Sequence, residues 1–170
     1  GAMFNLIFYS NEWTILSESM LKLSPATRKQ AFEFIDRLDP KGPTNIYDPL
    51  EKGLSFSGAV ARGPGEKIAT GVEKLAKTGV DTIFFLTDGM PNAGQIPVAD
   101  NILVKVKELN KTRKVKINSV GVFSAGGGGG RGGMRGGNNG SEADQGGAFL
   151  KKLAEENDGK YTNAGGAKKP

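Results

Sequence analysis

The 170-residue chain contains neither cysteine nor histidine. Without cysteine there are no disulfides and no thiolate metal sites. Without histidine the chain lacks the commonest general base and the commonest transition-metal ligand. Any metal would need oxygen ligands, which favours Mg²⁺, Ca²⁺ or Mn²⁺. Long apolar runs are also missing, and none reaches membrane-spanning length. Aromatic residues make up only 8% of the chain, with a single tryptophan, Trp13. Acidic residues are outnumbered, 18 against 23 basic ones, for a net charge of +5. That balance permits acidic partners without requiring them, because the lysines are scattered as on solvated faces. The opening Gly1-Ala2-Met3 resembles the scar left by proteolytic removal of a tag, so the lack of a leader says nothing about compartment.

What is present suits one domain with a sizeable core, residues 1–170. Phe4, Leu6, Ile7, Phe8 and Tyr9 read as one buried strand. Trp13, Thr14, Ile15 and Leu16 read as a second strand returning antiparallel after a short turn. Ser24-Pro25 opens a helix with Ser24 as its N-cap, and Ala31, Phe32, Ile35 and Leu38 form its apolar stripe. A second helix runs from about Ile46 through Leu54. A third, from about Glu66, carries Ile68, Val72, Leu75 and Ala76.

Residues 82–87 form a strand, and Val98, Ile102, Leu103, Val106 and Leu109 mark the helix after it. In the next strand Val115, Ile117, Ser119 and Gly121 point one way, and Lys116, Asn118, Val120 and Val122 the other. A last helix holds Phe149, Leu150, Leu153 and Ala154; Gly159 is placed to supply its left-handed cap. A short strand around Tyr161 ends the series. Strands alternating with helices predict an α/β fold: a three-layer, Rossmann-like, mostly parallel sheet with helices on both faces and one antiparallel edge strand. Residues 125–147 are more than half glycine and break the pattern. Such a stretch cannot offset its ordering entropy by burial and reads as a flexible insertion.

The chemistry centres on Phe85-Leu86-Thr87-Asp88-Gly89, an apolar strand ending in a carboxylate and a broken loop. In open α/β sheets ligands bind at the carboxyl ends of strands, where a carboxylate can help hold a cation. Asp-Gly is also a turn signal on its own account. Asn45 with Asp48 three residues on resembles a capping box, and Asn92 after Pro91 reads as loop structure. Trp13 reads as edge packing more readily than as a binding anchor. Arg131 and Arg135 lie in Arg-Gly-Gly repeats, which can track nucleic-acid backbones. Two charges without an interleaved aromatic residue supply little affinity, so nucleic-acid binding is not expected.

Several motifs in order resemble a von Willebrand factor A (VWA) domain of the bacterial type. They are the strand from Phe4 to Ser10, Gly42-Pro43-Thr44-Asn45-Ile46-Tyr47-Asp48, Phe85-Leu86-Thr87-Asp88-Gly89-Met90-Pro91-Asn92-Ala93-Gly94, Ile117-Asn118-Ser119-Val120-Gly121-Val122, and the segment from Phe149 to Tyr161. The resemblance implies a metal-ion-dependent adhesion site in which Thr44 and Asp88 match two of the five ligands. The family's D-x-S-x-S motif is absent, as are its first strand and first helix. Ser17-Glu18-Ser19 follows the edge strand and does not replace that motif. One carboxylate and one hydroxyl leave at most a weak Mg²⁺ site, because Mg²⁺ demands near-octahedral oxygen geometry. No other cofactor is expected.

The expected function is a non-enzymatic protein-interaction domain using Asn45, Asp88, Pro91 and Asn92, its partner unidentified by sequence. The absent strand would leave two apolar edges, at residues 4–9 and 82–87, which need cover. They would pair directly with each other, or a second copy or a donated partner strand would fill the gap. In that second case the chain is half of a split assembly, and the partner completes the metal site.

Overall fold

A computed structural model describes residues 1–39, 41–56, 79–123 and 142–165. The chain falls into two compact units, Gly1–Asp81 with Pro91–Val98, and Thr82–Met90 with Ala99–Pro170.

In the first unit the predicted opening strand is two short ones. β1 (Met3–Phe4) pairs antiparallel with β4 (Leu21–Lys22), and β2 (Ile7–Tyr9) pairs antiparallel with β3 (Trp13–Ile15). Asn5 makes the break. Its Oδ1 accepts from the Leu6 amide at 2.8 Å, and its Nδ2 donates to the Ser17 and Ser19 carbonyls at 2.7 and 3.3 Å. An Asn side chain that satisfies nearby backbone groups competes with the ladder. The β2–β3 hairpin is as expected, with Phe8 opposite Thr14 and the Ser10 amide donating to the Glu12 carbonyl across the turn.

Helix α1 (Pro25–Asp36) starts where the sequence placed it. The Ser24 hydroxyl accepts from the Thr27 amide at 3.2 Å, and the Thr27 hydroxyl accepts from the Ser24 amide at 2.9 Å. The expected stripe is corrected: Phe32 and Ile35 are exposed, and Thr27, Ala31, Phe34 and Leu38 make the half-buried side. Helix α2 (Tyr47–Ser55) packs against β2 and buries Tyr47, Leu50 and Leu54, with Ile46 fully buried just before it.

The second unit carries the parallel sheet. β5 (Thr82–Thr87), β6 (Lys116–Gly121) and β7 (Tyr161–Asn163) lie in that order, with Phe85 opposite Ser119 and Ser119 opposite Tyr161. Helix α3 (Ala99–Arg113) joins β5 to β6, and helix α4 (Glu142–Glu155) joins β6 to β7. The chain is thus α/β, with a parallel sheet, flanking helices and antiparallel strand pairs. The β6 alternation matches its reading: Val115, Ile117 and Ser119 are buried, and the Ser119 hydroxyl donates to the Leu150 carbonyl at 2.7 Å. Two successive crossovers in one direction along a sheet, both right-handed, put their helices on one face. Accordingly α4 packs on β6 and β7, and α3 packs on α4.

Two other expectations change. The left-handed residue after α4 is Asp158 (φ 54), not Gly159. Gly159 is needed for closeness instead, since a Cβ there would overlap the Ile117 carbonyl. The direct pairing of residues 4–9 with 82–87 is not among the ladders of the described residues. Asn5 interrupts the first stretch, and β2 is laddered to β3, whereas β5 is laddered to β6. The predicted helix from Glu66 and most of the glycine-rich segment fall outside the described residues. The end of that segment is helical, because α4 begins at Glu142. Gly146 there faces the Phe123 ring so closely that a Cβ would stand 2.5 Å from it.

Candidate functional site

The site residues read from the sequence divide between the units. Thr44, Asn45, Pro91 and Asn92 belong to the first, and Asp88 to the second.

Within the first unit the loop at 91–95 is bolted onto the entry of α2. The Thr44 amide donates to Asn92 Oδ1 at 2.6 Å, and the Asn92 amide donates back to the Thr44 carbonyl at 3.0 Å. Asn45 and Ala93 form an isolated parallel bridge. Ile46 already has helical backbone angles, so Asn45 is the residue that caps α2: its Oδ1 accepts from the Asp48 amide at 3.3 Å. Its Nδ2 donates to Asp48 Oδ2 at 2.8 Å and to the Asn11 carbonyl at 3.3 Å. Asp48 Oδ1 accepts from the Gln95 amide at 3.2 Å. Both carboxylate oxygens of Asp48 are therefore engaged, in a half-buried place that also gains from the helix N-terminus.

This network assigns a structural task to two candidates. Asn45 is buried and its amide is spent on the cap and on Asp48. Pro91 is buried, and Asn92 is exposed but its carbonyl oxygen holds Thr44. Thr44 is half-buried, and its hydroxyl takes no hydrogen bond among the described residues. Asp48 and Gln95 were not singled out as partners of the loop. The Asn-x-x-Asp spacing carried the Asp48 signal, whereas a main-chain donor such as the Gln95 amide leaves none in the sequence.

In the second unit Asp88 follows β5 in an exposed turn closed by Thr87, whose hydroxyl donates to the Gly89 carbonyl at 3.2 Å and accepts from the Gly89 amide at 3.3 Å. The Asp88 carboxylate makes no hydrogen bond or ion pair among the described residues. It stands at the carboxyl end of a parallel strand, the position where open α/β sheets bind ligands. Among the described residues no three acidic, histidine or cysteine side chains come together as a metal cluster. Arg131 and Arg135 fall outside the described residues. Trp13, on β3, packs with the Lys52 ammonium 5.6 Å from its ring centre, and Lys52 also meets Glu18 at 3.7 Å. No helix among the described residues is long and apolar enough to cross a membrane.

No protein-family model matches the chain. Its fold is similar to that of a solved structure, an aerotolerance-related membrane protein from Bacteroides fragilis carrying multiple mutations to serine. The two align with a TM-score of 0.51 and 14% identity, over 96% of this chain and 72% of that one. At that identity the likeness concerns fold alone.

Proposed function

We propose that this chain is a non-enzymatic protein-interaction domain built on a VWA-like fold whose metal-ion-dependent adhesion site is incomplete. The observation that carries the reading is the exposed Asp88 carboxylate at the end of β5, in a turn held by its own backbone and by Thr87. The ordered VWA-like motifs of the sequence and the α/β likeness to a solved structure support it. By the resemblance Thr44 matches a second ligand, and its hydroxyl takes no hydrogen bond among the described residues, while Asn45 and Asp48 are consumed in holding the loop. One carboxylate and one hydroxyl leave most of an octahedral shell to water, so Mg²⁺ affinity is weak, about millimolar. Binding then rests on protein contacts around Thr44, Asp88, Pro91 and Asn92. The chain has no histidine or cysteine to serve as base or nucleophile, and no three of its described carboxylates come together.

A second reading is favoured by the place of β5, which ends the order β5-β6-β7. In it a partner donates a strand carrying the missing serines and completes the site. One titration separates the two. Amide NMR spectra are followed as Mg²⁺ is added, with and without a synthetic apolar strand ending in Asp-x-Ser-x-Ser. On the first reading Mg²⁺ moves only residues near Thr44 and Asp88, at millimolar concentration, and Asp88→Asn abolishes the response. The peptide leaves that affinity unchanged. A micromolar affinity of the chain alone would overturn the incomplete-site reading. A rise to micromolar affinity on adding the peptide would favour the donated strand.

A further inference from the structure

Asp-Gly is a reactive dipeptide as well as a turn signal. Glycine has no Cβ, so its amide nitrogen can approach the preceding side-chain carboxyl without hindrance. The chain contains two such pairs, Asp88-Gly89 after β5 and Asp158-Gly159 before β7. Both lie in the second unit, and both aspartates are exposed. The fold treats them differently.

Around Asp158 the main chain is tied on both sides. The Asn157 carbonyl accepts from the Ile117 amide at 3.1 Å, the Gly159 amide donates to the Ala154 carbonyl at 2.9 Å, and the Lys160 amide donates to Asn118 Oδ1 at 3.0 Å. The buried Asn157 side chain adds bonds to the Leu153 carbonyl and to Asn110. Gly159 also stands so close to the Ile117 carbonyl that a Cβ has no room. The nitrogen that would attack is spent in a hydrogen bond, and the chain about it has little freedom to shift. Asp88-Gly89 is held more loosely. The Gly89 amide donates to the Thr87 hydroxyl at 3.3 Å, a long hydrogen bond that stays within the same three residues.

We propose that Asp88 is a site of spontaneous isoaspartate formation, and that the fold shields Asp158 from the same reaction. The Gly89 nitrogen bonds to Asp88 Cγ, its proton and the carboxyl hydroxyl leave together as water, and a five-membered succinimide closes. Water then cleaves one of the two ring bonds to nitrogen. Cleavage on the Cγ side restores aspartate, and cleavage on the other side routes the main chain through Cβ and Cγ. The product is an isomer of unchanged mass, formed with no reactant but water. Its main chain is one atom longer, and its carboxylate sits directly on Cα. This rests on the functional reading only in its consequence: the displaced group is the carboxylate assigned to the site, so the isomer is expected to lose the Mg²⁺ response.

The test holds the full chain for weeks at physiological temperature in mildly acidic buffer, where carboxyl groups are partly protonated and lose hydroxyl more readily. A parallel sample contains guanidinium chloride. Peptide mapping with electron-transfer fragmentation locates isoaspartate by residue; deamidation at Asn139-Gly140, outside the described residues, is told apart by its change in mass. In the folded chain isoaspartate should accumulate at Asp88 about tenfold or more faster than at Asp158, where reaction waits on local opening. In denaturant the two rates should converge. Gly89→Ala should slow the reaction at Asp88 severalfold and leave Asp158 unchanged, because it returns a Cβ beside the attacking nitrogen; Gly89 lies outside the left-handed region, so alanine suits its backbone. Equal rates in the folded chain would overturn the proposal. So would an Asp88 that stays intact in the folded chain while it reacts in denaturant. If isoaspartate forms at Asp88 and the purified isomer keeps the Mg²⁺ response, the modification stands and the assignment of Asp88 to the site fails.

Discussion

Gly94 has φ +88 and stands against the Asn45 side chain, so a methyl group there would both adopt a disfavoured backbone region and overlap the amide that caps α2. Gly94→Ala is expected to cost about 3 kcal/mol, the sum of backbone strain and a broken buried hydrogen-bond set. Urea unfolding monitored by circular dichroism measures it; a loss below about 1 kcal/mol would mean the loop relaxes without disturbing the cap. The same residues show what a single sequence conveys. Asn45 and Asp48 were legible as a cap from their spacing. The grip of Asn92 on Thr44 was not, because it joins positions 48 residues apart. Asp88 was legible as a turn residue with a carboxylate to spare, and its surroundings bear out the turn.

Among the elements, helix ends show the same division. Ser24-Pro25 announced the start of α1, because both the hydroxyl acceptor and the fixed φ act within one turn. The ends of α3 and α4 are less transparent. Lys114 (φ 58) and Asp158 (φ 54) occupy the left-handed region that glycine ordinarily fills. Lys114 holds it because buried Asn110 bridges the chain beyond: its Oδ1 accepts from the Val115 amide at 2.7 Å, and its Nδ2 donates to the Val115 carbonyl at 2.7 Å and to Asn157 Oδ1 at 2.7 Å. A left-handed non-glycine residue costs about 1–2 kcal/mol, part of which glycine returns as chain entropy. Lys114→Gly is therefore expected to stabilise the chain by about 0.5–1 kcal/mol, seen as a higher urea midpoint at unchanged slope. A lower midpoint would mean the lysine side chain contributes more than its backbone costs.

For the whole molecule, the described residues leave apolar side chains of β5 exposed, Phe84 and Leu86 among them. That exposure was not legible beforehand. Residues 82–87 are apolar throughout apart from the terminal threonines, so the run reads as a strand buried on both faces. Alternation distinguishes faces only when polar residues mark one of them, as Lys116 and Asn118 do on β6.

By itself the sequence determined the local elements: the Ser24 cap, the hairpin, the β5 and β6 strands with the faces of β6, and hence an α/β class. It also determined the chemistry available, oxygen ligands and no histidine or cysteine. Each of these depends on neighbours within a turn or on the composition. Only the tertiary structure decided that Asn5 divides the first strand, that Phe32 and Ile35 face outward, and that α3 and α4 leave one sheet face exposed. Those outcomes depend on groups far apart in the chain competing for the same hydrogen bonds and the same apolar surface, and no local pattern records which of them wins.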